Sequence, residues 1–285
     1  MKPPLSFLAL ALACSACNPP STSHNASAKP EQGTPAAATA GAGRHAVAVQ
    51  ALPGKLALLQ TVDLTAALSD SSAEPGTKRG AMEGFYGPAN YRVSFFFTKV
   101  VRDEQHPDVY HIWGKNRYKK VITPFTGTCT FKQLTSLPDT TDLARPETGQ
   151  PSRGYSVIGD YTITEDPTTK GAGVYSGKVM LDFFLTASGK AVLAWSEPLM
   201  EGGMTNPSKG SGLLFQGVWR DNKTGQIKAA SWSSDFSVII PETLEKMGLG
   251  SRGDTIYPEL AKYGWNELYE NNEWWAKPTK PAMSL

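Results

Sequence analysis

From Tyr91 onward, apolar and polar side chains alternate with a period of two, the spacing of strands with one buried face. The run from Tyr91 to Val101 is β-branched and aromatic, as strands prefer. The same pattern predicts further strands over 108–117, 120–134, 155–165, 173–186, 190–197, 212–221 and 227–238. Turn chemistry separates most of them. Ala187-Ser-Gly-Lys190 and Asp221-Asn-Lys-Thr-Gly225 read as tight hairpin connections. The longer Pro/Gly/Ser/Thr stretches 136–153 and 198–211 read as loops over one end of the sheet.

Five of these strands carry a glycine two residues after an apolar or aromatic side chain: Gly114, Gly127, Gly159, Gly177 and Gly217. Alternation puts each glycine on the face of its large neighbours. Glycine inside a strand costs stability unless the strand bends or a neighbour must come close. Its repetition on one face predicts a coiled sheet that closes on itself, which also removes exposed edges. The expected fold is mainly β, an antiparallel up-and-down barrel of about eight strands with short C-terminal helices.

Helices are expected at three places near the C-terminus. Pro241–Met247 opens with proline and ends before Gly248, and 258–263 and 266–269 flank Gly264. Trp274 and Trp275 would pack this tail onto the barrel. Residues 52–68, with Leu56, Leu59, Leu64 and Leu68, fit either a helix or a strand.

The N-terminus carries an address. Lys2 precedes a short apolar run, Leu5–Ala13, and then Cys14-Ser-Ala-Cys17, the anatomy of a secretory signal. The run is too short to cross a bilayer as a permanent helix. Leu10-Ala11-Leu12-Ala13 before Cys14 resembles the lipobox of bacterial lipoproteins, which implies lipidation of Cys14, with Cys17 as the alternative. The absence of aspartate after either cysteine points to the outer membrane. Residues 18–50 are Ala, Pro, Ser, Thr and Gly with few large apolar groups, and cannot offset their ordering entropy. The chain thus divides into a signal (1–17), a disordered tether (18–50) and one barrel domain with its C-terminal extension (51–285).

Charge narrows the classes of partner. Three of the 28 basic and one of the 26 acidic residues fall in residues 1–50, which leaves a formally neutral domain. Without basic runs there is no electrostatic case for nucleic acid. Cys129 is the only cysteine beyond the signal, which excludes an intramolecular disulfide there and a cysteine-based zinc site. It shares a strand face with Phe125 and Phe131, so a buried, inert thiol is expected. No metal or other cofactor is expected, and no phosphate loop, dinucleotide fingerprint or nucleophile elbow is present.

The remaining candidates are weighed on strand faces. Asp160, Glu165, Asp166, Asp182 and Glu197 stand in or at the ends of strands, where paired carboxylates could serve glycoside hydrolysis. Asp160 and Asp182 fall opposite the glycine face and are expected outside, in solvent. His111, Trp113, Lys115 and Arg117 share a face that points outward if Gly114 points inward, as a solvated strip or a cover for another segment. Trp195, Trp219, Trp232, Tyr161 and Tyr175 are the candidates for lining an apolar ligand pocket, and large aromatics also fill small barrels.

The runs Gly114-Lys-Asn-Arg117, Pro124-Phe-Thr-Gly127, Gly159-Asp-Tyr-Thr-Ile-Thr-Glu-Asp166 and Gly217-Val-Trp219 resemble uncharacterised bacterial envelope lipoproteins with a lipocalin-like barrel. The resemblance covers roughly residues 83–235 and implies fold and location but transfers no catalytic residue. The Gly-x-Trp that opens the first strand of lipocalins is not matched. The resulting expectation is a non-enzymatic envelope lipoprotein, anchored to a membrane by lipid. Its barrel would bind a small apolar or amphiphilic ligand or serve as a protein-interaction module. The competing expectation is a hydrolase of an envelope glycan or lipid, using acidic residues at the barrel mouth.

Overall fold

The computed structural model describes residues 53–69, 80–137, 153–186, 188–194, 206–249, 258–268 and 273–276. All lie in the second of the chain's two units, residues 48–285. Cys14, Cys17, Trp195, Glu197, the tether and most of the two long loops lie outside the described residues.

Nine antiparallel strands form one sheet: β1 Met82–Tyr86, β2 Tyr91–Arg102, β3 Val109–Tyr118, β4 Val121–Ser136, β5 Arg153–Glu165, β6 Gly173–Leu185, β7 Ala191–Leu193, β8 Leu213–Asp221 and β9 Ile227–Ser233. Eight of them close a ring, because β5 pairs with β6 and β9 pairs back onto β1. The ring runs in chain order, with β7 left beside it, paired among the described residues with Phe183–Leu185 at the end of β6. The strand expected over 190–197 is therefore short and not a stave. The eighth stave is β1, which alternation did not reveal: five residues with Gly84 in the middle, buried on both faces.

The glycine face points inward as expected. A Cβ at Gly114, Gly127, Gly159, Gly177 or Gly217 would overlap the backbone carbonyl oxygen of the neighbouring strand. Gly84 and Gly173 share this constraint. Gly177 and Gly217 face one another in register across β6 and β8, and neither leaves room for a side chain on the other. Around them Phe95, Phe97, Phe125, Phe131, Tyr161, Tyr175, Phe215 and Trp232 form one buried cluster. Cys129 is buried in it with a free thiol, and burial pushes that thiol's pKa up to about 12.

Two short helices, α1 Pro53–Thr61 and α2 Thr65–Ser69, resolve the choice over 52–68 in favour of helix. Leu59, Val62, Leu64, Ala67 and Leu68 join the barrel's core cluster, so this segment closes one end. Arg102 Nη2 donates to the carbonyls of Leu59 (3.1 Å) and Gln60 (2.9 Å) in the last turn of α1. Those carbonyls have no partner within the helix, so the guanidinium supplies the cap from outside. The Tyr110 hydroxyl accepts from the Leu64 N–H at 3.0 Å.

The C-terminal segment covers the outside of β1, β2 and β3. It contains a 3-10 turn Phe236–Ile239, α3 Glu242–Glu245, α4 Pro258–Ala261 and a second 3-10 turn Trp265–Glu267. Trp265 is fully buried against Phe85 (ring centroids 4.9 Å) and Phe236 (5.4 Å). Farther along, the ring of Trp275 stacks on Phe96 at 4.4 Å, and Arg117 lies over Trp274.

Gly217→Val should destabilise by about 3 kcal/mol or more, since the collision is with fixed backbone. Gly54→Ala, in α1 with nothing within 4 Å, should be neutral or stabilising by up to about 1 kcal/mol. Urea unfolding of both variants checks this, and a neutral Gly217→Val would remove the close-approach argument.

Candidate functional site

Four of the five aromatic candidates converge inside the ring. Trp232 is sandwiched between Phe95 (3.9 Å, 13°) and Phe215 (5.0 Å, 8°). Tyr161 and Tyr175 meet it edge-on at 5.3 and 5.6 Å. Trp219 sits nearer the rim, edge-on to Tyr86 at 5.6 Å. These residues contact one another through their ring faces and edges. The Tyr161 hydroxyl and the Trp232 indole N–H are buried without a hydrogen-bond partner among the described residues.

The carboxylates are spread apart. Glu165, at the end of β5, points into the rim of the ring and accepts from Asn116 Nδ2 (2.5 Å), the Gly173 N–H (2.8 Å) and Trp219 Nε1 (3.0 Å). Burial raises its pKa, while those three donors pull the other way. Asp160 is on the outer face between Lys132 and Lys178, as its strand position implied. Asp166 caps its own turn by accepting from the N–H and hydroxyl of Thr168.

Asp182 corrects an expectation. Its side chain is on the outer face of β6, yet it is fully buried rather than solvated. The reason is the loop around 206–212, whose Asn206 amide and Ser208 hydroxyl (2.5 Å) donate to Oδ2. The Asp182 N–H donates in turn to the Gly212 carbonyl at 2.7 Å. Burial first, opposed by those hydrogen bonds, pushes the carboxyl up to about 6.

Outside the ring, two clefts are lined by described residues. One lies between the strips of β3 and β4 and the β5 turn, with Trp113, Pro124, Thr126 and Pro167 in its walls and Glu165 reaching it from the rim. The other, of about 350 Å³, is framed by the start of β2, the end of β3, the β3–β4 turn and the C-terminal segment. Arg92, Arg117, Lys119 and Lys120 line it, and Glu267 is the one carboxylate among the described lining residues. Arg92 is buried; its Nε and Nη2 each donate at 2.8 Å to Glu83, which also accepts from Ser94. Glu267 pairs with Lys120 at 2.8 Å, and that bond, helped by Arg117 and Arg92, lowers its pKa.

The outward strip of β3 thus has three settings. His111 bonds Asp103 at 2.9 Å, Trp113 is exposed beneath Lys99, and Lys115 and Arg117 are taken up by the Trp274-Trp275 segment. Of the 350 Å³ cleft, sequence reasoning picked out only Arg117. The available signal for the rest was two lysines, Lys119-Lys120, standing where a two-residue hairpin turn ordinarily has Asn-Gly.

Comparisons with protein-family models, curated proteins and solved structures find no match to the chain.

The Asp182 carboxyl, raised from 3.8 to about 6, favours folding most below pH 4 and loses that contribution as pH rises through 6. The loss amounts to about 3 kcal/mol at most. The stability difference between the native chain and Asp182→Asn, measured by urea unfolding from pH 4 to pH 7.5, should shift in favour of the variant as pH rises. A difference that is flat across this range would contradict the assignment.

Proposed function

We propose that this is a non-enzymatic, lipid-anchored protein of a bacterial cell envelope, built on a lipocalin-like barrel that works through its outer surface. The observation that carries the reading is the Phe95–Trp232–Phe215 stack, which occupies the middle of the ring where a lipocalin-like carrier would hold its cargo. The outer face, by contrast, offers clefts and exposed apolar groups, among them Trp113, Val121, Ile122 and Ile227. These suit contact with another envelope component. The signal-like N-terminus, the lipobox resemblance at Cys14 and the long Ala/Pro/Ser/Thr stretch after it support a tethered placement at the membrane surface, in keeping with the outer membrane.

The carboxylates favour this over hydrolysis. Glu165 is committed to three donors, Asp160 to two lysines and Asp182 to the loop that buries it. A second reading, a small amphiphile held inside the ring, is favoured by one observation: the Tyr161 hydroxyl and Trp232 N–H have no partner among the described residues. It requires the stacked rings to separate.

Titration of the full chain with an environment-sensitive apolar dye or a fatty acid separates the two readings. Surface function predicts no saturable binding and unchanged tryptophan emission. Saturable binding weakened by Trp232→Phe would overturn it in favour of the interior site. Separately, metabolic labelling with palmitate should mark the chain and be abolished in Cys14→Ala. Label retained in that variant but lost in Cys17→Ala would move the anchor to Cys17.

A further inference from the structure

We infer that the basic cleft between the β3–β4 turn and the C-terminal segment binds a phosphate group, either of a soluble phosphate monoester or of a phosphorylated lipid headgroup. This rests on the reading that the protein works through its outer surface, and it names the chemistry of one surface site.

The first observation is the turn. Tyr118 and Val121 are the last paired residues of β3 and β4, so Lys119 and Lys120 form the whole connection. Both have left-handed backbones, with φ of 48° and 68°. A two-residue hairpin of this kind demands positive φ at both positions, which glycine and asparagine meet at least cost. Two lysines there spend stability on placing charge, and strain of this sort collects at functional positions. Lys119 lies 4.5 Å over the ring of Tyr91, a contact that orients the ammonium without cancelling its charge.

The second observation is Arg92. It is only 7 % exposed, and its backbone N–H donates to the Tyr263 carbonyl at 2.8 Å, which ties the C-terminal segment over it. Glu83 occupies Nε and Nη2, whereas Nη1 is buried without a hydrogen-bond partner among the described residues. The guanidinium is thus a charge held in a fixed place by one carboxylate, in a residue that lines the cleft. Glu83 sets the orientation of the fork, so little ordering remains to be done on binding.

The third is the balance of the walls. Four cationic side chains from β2, β3 and the β3–β4 turn line it, with Glu83 paired to Arg92 and Glu267 to Lys120. Gly264, with φ of 82°, stands in the opposite wall, where an added Cβ would lie 3.6 Å from Arg92 and Tyr91. A doubly charged oxyanion uses several such donors at once. Arginine supplies a directional fork and lysine a compact charge, the usual combination for phosphate. A volume of about 350 Å³ suits a phosphate with a small attached group rather than a bulky ligand.

The test replaces the turn with the residues its geometry prefers, Lys119→Asn together with Lys120→Gly. The variant should fold with an unchanged or raised melting temperature. The native full chain is titrated with glycerol 3-phosphate, and separately mixed with phosphatidylcholine vesicles with and without phosphatidic acid, with tryptophan emission as readout. The expected result is a saturable response to at least one phosphate source, suppressed by salt and weakened about tenfold or more in the variant. A response to glycerol 3-phosphate alone assigns the site to soluble esters. One that needs phosphatidic acid in the vesicle assigns it to headgroups. No response to either source, or equal binding by the well-folded variant, overturns the inference. The apolar-ligand titration is a separate measurement, so failure here leaves the surface reading standing, and failure there is recognised independently.

Discussion

The close approach of backbones at the inward glycines is the constraint on which the rest depends. Gly177 and Gly217 meet in register, and a side chain on either would occupy the space of the other strand's carbonyl. Similar contacts recur at Gly84, Gly114, Gly127 and Gly159 around the ring. Where the strands give up a side chain they gain curvature, and the sheet can coil tightly enough for β9 to reach β1. The space left is then just wide enough for large rings, and Phe95, Trp232 and Phe215 fill it as a stack. The glycines and aromatics are one device: the first set the radius, the second occupy it. A ring so filled turns attention to its outside.

Both coverings of the barrel follow from polar groups that the sheet alone leaves unmet. At one end Arg102 and Tyr110 hold α1 and the start of α2 through backbone groups, and the leucines of that segment complete the core. On the outside, the N–H of Arg92 bonds the Tyr263 carbonyl, and Trp265 Nε1 donates to the Asn90 carbonyl at 3.2 Å. Phe85 turns away from the barrel interior and needs an apolar partner there, which Trp265 and Phe236 provide. The C-terminal segment is thus a second small core laid on the first.

What the sequence revealed follows from the range of each signal. Alternation is local, so the long strands and the inward glycines were legible, as was the burial of Cys129 between Phe125 and Phe131. β1 was not, because Phe85 and Glu83 on its outer face are themselves covered, which erases the alternation within five residues. The strand expected over 190–197 has the right composition, but β8 already occupies the edge of β6 that it would need, except at Phe183–Leu185. Asp182 shows the same limit from the other side. Strand position put it on the correct face, and only the loop around 206–212 decided that this face is dry.

The basic cleft was illegible for a related reason, and this bears on what such a domain can do. Alternation assigns Arg92, Ser94, Lys115 and Arg117 to one outer face, where a neutral domain shows no excess charge. The C-terminal segment changes their setting: it buries Arg92, brings its own Glu267 to Lys120, and gathers cations from β2, β3 and the β3–β4 turn along one walled space. Low-dielectric walls strengthen the field of those charges beyond what the same residues would produce on an open sheet. A net charge near zero therefore excludes broad electrostatic binding but not one concentrated site. The position that exposes this in the sequence is the turn itself, where glycine would be easiest and Lys119-Lys120 stand instead.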